Sequence, residues 1–222
     1  MLVTYLMKIE KDYKSFARSR GISSLAVDKV MNYDVPYVLE ESQMHVQALD
    51  IYSRLLYDRI IYLGDEFTPE TCNSIITQLL YLNNINNDPI DIYINSPGGT
   101  VVDGLSVIDT INLIDSPVNT ICTGLAASMG AVLLSCGEKG NRAVLPHSRV
   151  MIHQVSSGMA GTYSDLEIEL KQTERCKQDI YKILSENLNK PYEEIERLCD
   201  RNNWFIGQEA VDLGIADKVL KK

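Results

Sequence analysis

Histidine is scarce in this chain of 222 residues, and its cysteines never occur as a close pair. The three histidines are His45, His147 and His153, so imidazole chemistry has few candidates. The five dispersed cysteines lack any Cys-x-x-Cys spacing, which excludes the usual zinc modules. They favour buried thiols in a reducing compartment over a disulfide framework. We therefore expect neither a metal site nor a cofactor.

Positive charge is also in deficit, with 21 lysines and arginines against 30 acidic residues and a net charge of -9. Nucleic acids and anionic membranes both attract a basic face, so this balance disfavours them as partners. No apolar run approaches the ~20 residues that a membrane-spanning helix needs. The opening residues lack the basic start and long apolar core of a secretory signal, which predicts a cytoplasmic protein.

The chain divides into a polar beginning and a patterned remainder. Residues 1–34 are polar and weakly periodic, which predicts an N-terminal extension ahead of a folded domain over 35–222. In that domain apolar strands alternate with helical patterns, which predicts an α/β fold of stacked β-β-α units. The strand patterns are "RIIYLG", "IDIYINS", "PVNTICTG", "NRAVLP" and "SRVMIHQ".

One predicted helix, from about Thr162 to Lys190, is long for such a core. It carries more apolar side chains than one core would cover, which indicates a partner subunit. The positions that need cover are Leu166, Leu170, Ile180, Ile183, Leu184 and Leu188.

Two stretches at strand ends favour chemistry, because α/β folds place their sites there. In "NSPGGT" the glycines Gly98 and Gly99 let backbone N–H groups approach a ligand, although taken alone the stretch is more often a plain glycine turn between strand and helix. In "GLAASMGA" Ser128 lies where a strand that ends at Thr123 or Gly124 gives way to a helix starting near Ala127. Such a serine is either a helix cap or a nucleophile next to an oxyanion-binding N–H.

A serine nucleophile needs an imidazole base. His153 follows the apolar strand "RVMI", His147 precedes it in a surface position, and His45 lies in a polar segment. By elimination, His153 is the best base.

Five stretches, in this order and spacing, resemble the proteolytic subunits of the Clp protease family. The resemblance covers roughly residues 35–220 and implies the ClpP/crotonase fold, with a long handle helix that joins heptameric rings into a tetradecamer. It also implies a serine endopeptidase that receives unfolded polypeptides from an AAA+ Clp unfoldase. The stretches are "DIYSRLL", "YINSPGG", "GLAASMGA", "SRVMIHQ" and "EAVDLGIAD".

The resemblance also assigns roles to individual residues. Ser128 is then the nucleophile, His153 the general base, and the N–H groups of Gly99 and Met129 the oxyanion donors. The peptide substrate is expected to add as a β-strand along Gly98–Gly99 and along a strand after His153. Residues 1–34 fall where the family carries a removable propeptide.

The chain departs from the family at the third catalytic position. The stretch "CDRNNWF" has Asn202 where the family has an aspartate that orients the base, and Asp200 and Asp165 are the alternative carboxylates. An amide orients an imidazole without supplying charge, which predicts either a slow peptidase or an inactive ring subunit that assembles with active copies. A third alternative, an acyl-CoA enzyme of the crotonase type, shares the fold and a glycine-lined oxyanion site.

Overall fold

The computed structural model describes residues 37–41 and 46–221. The predicted extension over residues 1–34 lies outside the described residues, as does His45. The chain forms two units, Met1–Asp58 and Arg59–Lys222.

In the described part of the first unit, strand β1 (Tyr37–Glu41) pairs antiparallel with β2 (Val46–Asp50), and helix α1 (Ile51–Tyr57) follows. Asp50 ends the strand and begins the helix, because its carboxylate accepts the Ser53 N–H at 2.9 Å as an N-cap.

The second unit is built on a seven-stranded, mostly parallel sheet, which confirms the predicted α/β class. The central path runs in the order β3, β4, β5, β6, β9, while β7 pairs parallel with the end of β5 and antiparallel with β8. The strands are β3 (Ile60–Leu63), β4 (Ile90–Ser96), β5 (Val118–Ala127), β6 (Ala143–Val144), β7 (Arg149–Ile152), β8 (Asn203–Ile206) and β9 (Lys218–Val219). The helices are α2 (Pro69–Ile85), α3 (Val101–Leu113), α4 (Met129–Ser135), α5 (Tyr163–Leu188), α6 (Tyr192–Leu198) and α7 (Gln208–Leu213).

Local sequence sets the helix boundaries. Helix α2 begins after Thr68, whose hydroxyl accepts the Thr71 N–H at 3.3 Å, and Pro69 occupies the first helical position, where no N–H is needed. Helix α5 ends at Asn189, which adopts a left-handed conformation with φ +53° ahead of Pro191.

The burial of the apolar side chains on α5 differs in part from the prediction. Ile180, Leu184 and Leu188 are buried within their own unit, so these positions need no partner. The first half of the helix is the part that stays open, since Leu170 is 62% exposed and Ile168 is 63% exposed. The sequence pattern therefore overestimated the uncovered face, because α4 and α6 pack against the helix and its C-terminal half is buried.

Candidate active site

Ser128 lies at a sharp turn between a strand and a helix. Strand β5 continues to Ala127 and α4 begins at Met129, so the strand is three or four residues longer than the sequence suggested and the helix begins two residues later. The extension forms because Ala126 and Ala127 pair with Val150 and Met151 of β7. Ser128 itself has φ +54° and ψ −122°, a conformation that non-glycine residues rarely adopt and that is common where function requires an exposed side chain.

His153 directly follows β7, the strand that pairs with the end of β5. Its Nε2 lies 2.9 Å from the Ser128 Oγ, and both residues are half-buried. The structure thus brings together the serine and the histidine that the sequence singled out. A hydroxyl and an imidazole at this distance are within reach for direct proton transfer. His147, by contrast, is exposed at the start of the same segment.

The glycines of "NSPGGT" lie against this pair. A Cβ on Gly98 would stand 2.6 Å from the Ser128 Cβ, and one on Gly99 would stand 2.5 Å from the Phe67 carbonyl oxygen. Both glycines also have positive φ, +97° and +152°, so the close approach and the turn each require glycine.

Two backbone donors remain open beside the serine. Within the described residues, the N–H groups of Gly99 and Met129 have no backbone acceptor, whereas the Ser128 N–H donates to the Met151 carbonyl at 2.8 Å. The Ser128 N–H is therefore occupied. Gly99 and Met129 both line one cavity with Ser128 and His153.

Two polar residues that sequence reasoning passed over hold this geometry. β5 carries two more residues than β4 between the pairs Ile94–Cys122 and Ser96–Ala126. The Asn95 side chain compensates, because its Oδ1 accepts the Leu125 N–H at 3.1 Å. Ser96 acts on the other side, where its hydroxyl contacts the glycine turn. Their positions next to "PGG" were the only signal in the sequence.

Asn202 directly precedes β8, and His153 directly follows its partner strand β7. The antiparallel ladder ends with the pair Ile152 and Asn203, so His153 and Asn202 are the residues just beyond that last pair. Gln154 contacts the segment that precedes Asn202, since its Nε2 donates to the Asp200 carbonyl at 2.7 Å. The Asn202 side chain is exposed, and among the residues described no hydrogen bond joins it to the His153 ring.

The alternative carboxylates have other surroundings. Asp165 accepts the Thr162 hydroxyl at 2.6 Å in the first turn of α5, which is a capping arrangement. Asp200 is exposed and meets Gln154 through its backbone carbonyl, not its carboxylate.

The expected docking strand after His153 is absent from the described structure. Residues 153–162 form no strand there, and α5 begins at Tyr163. The prediction of a strand in this stretch is therefore wrong for this structure. Gly158 and Gly161 weaken the local preference for a strand, since glycine in a strand interior adds conformational entropy and no packing.

A cavity of about 60 Å³ adjoins the Ser128–His153 pair. Its apolar wall comes from three helices, the strand β7 and the segment after β7, and two of its residues, Ile180 and Leu184, belong to α5. The other apolar residues are Val101, Met129, Val132, Ile152 and Val155. This wall suits an uncharged, aliphatic or aromatic side chain of a ligand.

Cys72 and Cys199 are not competing nucleophiles. All five cysteines are free, and burial raises the pKa of Cys72 to about 11 and that of Cys199 to about 12. Thiols with such pKa values stay protonated near neutral pH and are poor nucleophiles. No cluster of metal-binding side chains occurs among the described residues, and no described helix is long and apolar enough to cross a membrane.

Comparison with known proteins agrees with this geometry. The model of the family described as "Clp protease" matches residues 42–222. The chain is 44% identical over 219 residues to the ATP-dependent Clp protease proteolytic subunit of Bacteroides fragilis, covering 95% of this chain and 99% of that one. It is 45% identical over 219 residues to the protein of that name from Porphyromonas gingivalis, covering 95% and 98%. It is 45% identical over 189 residues to proteolytic subunit 1 of Salinibacter ruber, covering 85% and 81%. The chain therefore belongs to the Clp protease family.

Proposed function

We propose that this chain is the peptide-hydrolysing subunit of a Clp-type serine endopeptidase, with Ser128 as nucleophile and His153 as general base. The observation that carries the proposal is the 2.9 Å contact between the His153 Nε2 and the Ser128 Oγ, beside two unoccupied N–H donors. Nucleophile, base and oxyanion donors are the three parts that acyl transfer needs.

The reaction proceeds in two halves. The Ser128 Oγ attacks the scissile carbonyl carbon as the His153 Nε2 takes its proton, and the N–H groups of Gly99 and Met129 stabilise the oxyanion. The C–N bond then breaks, and the imidazolium gives its proton to the leaving amine. A water molecule, activated by the same imidazole, hydrolyses the acyl-enzyme and restores Ser128.

Asn202 takes the place of the acid. We infer that its amide oxygen accepts the Nδ1–H of His153 when substrate binds, which orients the ring but does not stabilise its positive charge. The register of β7 and β8 supports this assignment, because its last pair, Ile152 with Asn203, directly adjoins His153 and Asn202. The enzyme is then slower than one with a carboxylate at this position.

The apolar cavity beside Ser128 is proposed to hold the substrate side chain just before the cleaved bond. Its apolar wall favours residues such as leucine, methionine or phenylalanine over charged ones. An extended polypeptide lying along Gly98–Gly99 would present that side chain to the cavity.

We also propose that the chain works as part of a ring assembly, with heptameric rings stacked as a tetradecamer and fed by an AAA+ Clp unfoldase. The open first half of α5 supports a subunit contact, since Tyr163, Ile168 and Leu170 are each more than 60% exposed. The similar proteins carry the name "ATP-dependent" and "subunit", which agrees with an ATPase partner and an assembly.

The test is labelling of Ser128 and cleavage of short peptides. Purified protein is treated with a fluorophosphonate probe and with fluorogenic peptides that have leucine or aspartate before the reporter group. We expect labelling and a preference for leucine, loss of both in Ser128→Ala and His153→Ala, and no change in Ser74→Ala, a control at an exposed serine on α2. Absence of labelling at Ser128 in every oligomeric state would refute the hydrolytic function.

A second function has one observation in its favour, which is Asn202 itself. A chain that cannot stabilise the imidazolium still serves as a structural subunit in a ring with active copies. Co-expression with a tagged, active Clp proteolytic subunit tests this: the alternative requires mixed rings in which Ser128→Ala leaves the total activity unchanged.

A further inference from the structure

Ser96 is the last residue of strand β4 and comes directly before the glycine turn that leads into α3. It is completely buried, and its hydroxyl is satisfied by backbone in both directions. The Oγ donates to the Asp65 carbonyl at 2.6 Å and accepts the Gly98 N–H at 3.2 Å. One side chain therefore joins the loop after β3 to the glycine turn.

Two more hydrogen bonds connect the same two segments. The Phe67 N–H donates to the Gly98 carbonyl at 2.9 Å, and the Thr100 N–H donates to the Phe67 carbonyl at 2.9 Å. Both bonds are backbone contacts, so they tolerate most changes of side chain. The Ser96 hydroxyl is the side-chain contribution to the contact between the loop after β3 and the glycine turn.

The direction of the Gly99 N–H follows from these contacts. In a trans peptide the carbonyl of one residue and the N–H of the next point in opposite directions. Because the Gly98 carbonyl points at Phe67, the Gly99 N–H points away from Phe67. Gly99 lies on the wall of the cavity that contains Ser128 and Met129.

We propose that Ser96 is a positioning residue for catalysis: by binding both the Gly98 N–H and the Asp65 carbonyl, it holds the Pro97–Gly98 peptide against the loop whose Phe67 N–H fixes the Gly98–Gly99 peptide, and thus aims the Gly99 N–H at the oxyanion. The inference rests on the proposed peptidase function and extends it to a residue that touches neither substrate nor nucleophile. Loss of one oxyanion donor typically costs ~10²–10³ in kcat, and misplacement of a catalytic group by ~1 Å costs ~10².

The test compares Ser96→Ala with Ser148→Ala, a closely matched control. Ser148 is 1% exposed, donates to the Cys122 carbonyl at 2.7 Å and accepts the Leu145 N–H at 3.3 Å. Both substitutions remove one buried hydroxyl that bridges two backbone groups, so both should lower the melting temperature similarly. They differ in that only Ser96 contacts the glycine turn.

We expect Ser96→Ala to lower kcat by about 10-fold to 100-fold with KM within about twofold. Its affinity for a peptide boronic acid, which forms a tetrahedral adduct with an oxyanion-like oxygen, should fall by the same factor. Binding of an uncleaved peptide should not change. Ser148→Ala should keep the kcat of the folded wild-type protein.

Three results overturn the inference. They are a kcat of Ser96→Ala within twofold of wild type, an equal loss of kcat in Ser148→Ala, or a loss confined to KM. If Ser96→Ala does not fold, Ser96→Cys decides by the same criteria, because it keeps the side-chain size with a weaker hydrogen-bonding group. A wild-type protein that neither cleaves nor labels overturns the proposed function as well, which separates that failure from a failure of Ser96 alone.

Discussion

Replacing Asn202 with aspartate adds a negative charge next to the end of the strand pair that leads to His153, the proposed general base. The last pair in the register of β7 and β8 is Ile152 with Asn203, and His153 and Asn202 adjoin that pair, so the new carboxylate would lie near the imidazole segment. When the imidazole takes the Ser128 proton it becomes a cation, which a nearby carboxylate stabilises. We expect kcat to rise with little change in KM, because the added interaction operates only after proton transfer.

The size of the increase in kcat depends on how far solvent screens the charge pair. Two unit charges about 4 Å apart attract each other by ~1 kcal/mol in water and by ~4 kcal/mol at an effective dielectric constant of ~20. Asn202 is exposed and His153 is half-buried, so the pair lies between these limits. Since a tenfold rate change corresponds to ~1.4 kcal/mol, the expected increase is about 5-fold to 1,000-fold. This range lies below the ~10⁴ of a fully buried triad carboxylate.

The measurement is steady-state cleavage of a fluorogenic peptide by assembled protein, at low and at high salt. The gain in Asn202→Asp should shrink as salt rises, because a partly exposed charge pair is screened. Asn202→Ala is the control for orientation without charge and should be slower than wild type. Asn202→Asp combined with Ser128→Ala should be inactive. An unchanged kcat in Asn202→Asp would show that another group stabilises the imidazolium, or that residue 202 never meets the ring.

Three further perturbations test the supporting structure. Thr68→Ala removes the N-cap of α2 and should lower stability by ~1 kcal/mol, or roughly 2–4 °C in melting temperature; an unchanged melting curve contradicts the cap. Gly99→Ala should abolish fluorophosphonate labelling because its Cβ meets backbone at 2.5 Å, whereas Gly140→Ala, with φ +90° and open space around it, should label normally. Burial alone would raise the pKa of Asp217, but hydrogen bonds from the side chain and backbone of Arg142 outweigh it and hold the pKa below its ordinary value of 3.8. The stability from this ion pair should therefore be complete above about pH 4 and lost as the pH falls further, and Asp217→Asn should remove that part of the acid sensitivity in melting curves. At pH 7 Asp217→Asn should lose ~3–5 kcal/mol, since Arg142 is 5% exposed and would be left as an unpaired buried charge.

Local signals in the sequence were enough for most of the fold. Helix α2 begins at Thr68–Pro69, and α5 ends shortly before Pro191. Both boundaries depend only on residues that are close in sequence, so the sequence predicts them well. The short strands β6 and β9, with two residues each, form because neighbouring strands are already in place, and nothing in their composition marks β9. The end of β5 was also misplaced, because its last residues are held by β7, which lies more than twenty residues away in sequence.

In the candidate site, too, the residues set by local sequence were predicted and those set by strand pairing were missed. Ser128 and His153 were found because each ends or follows an apolar strand and because few histidines compete. Asn95 and Ser96 were missed because their roles depend on a two-residue mismatch between β4 and β5, which is visible only in the paired strands. Whether Asn202 acts on the base stays a prediction, since the two residues adjoin the last pair of the register but no bond joins them.

The backbone around Ser128 favours an enzyme over a purely structural subunit. A non-glycine residue held at φ +54° and ψ −122° costs of order 1–3 kcal/mol, and a glycine turn forced against Phe67 and Ser128 adds a further constraint. Ring contacts are made by surfaces, such as the exposed half of α5, that gain nothing from this strain. A serine in a relaxed helix cap would fill the same space. The strained turn does one thing that a relaxed cap does not, which is to hold the Ser128 hydroxyl 2.9 Å from an imidazole and next to two open N–H donors. Asn202 therefore leaves His153 without a carboxylate at the position that the resemblance assigns to one, while the Ser128–His153 contact and the two open N–H donors remain in place.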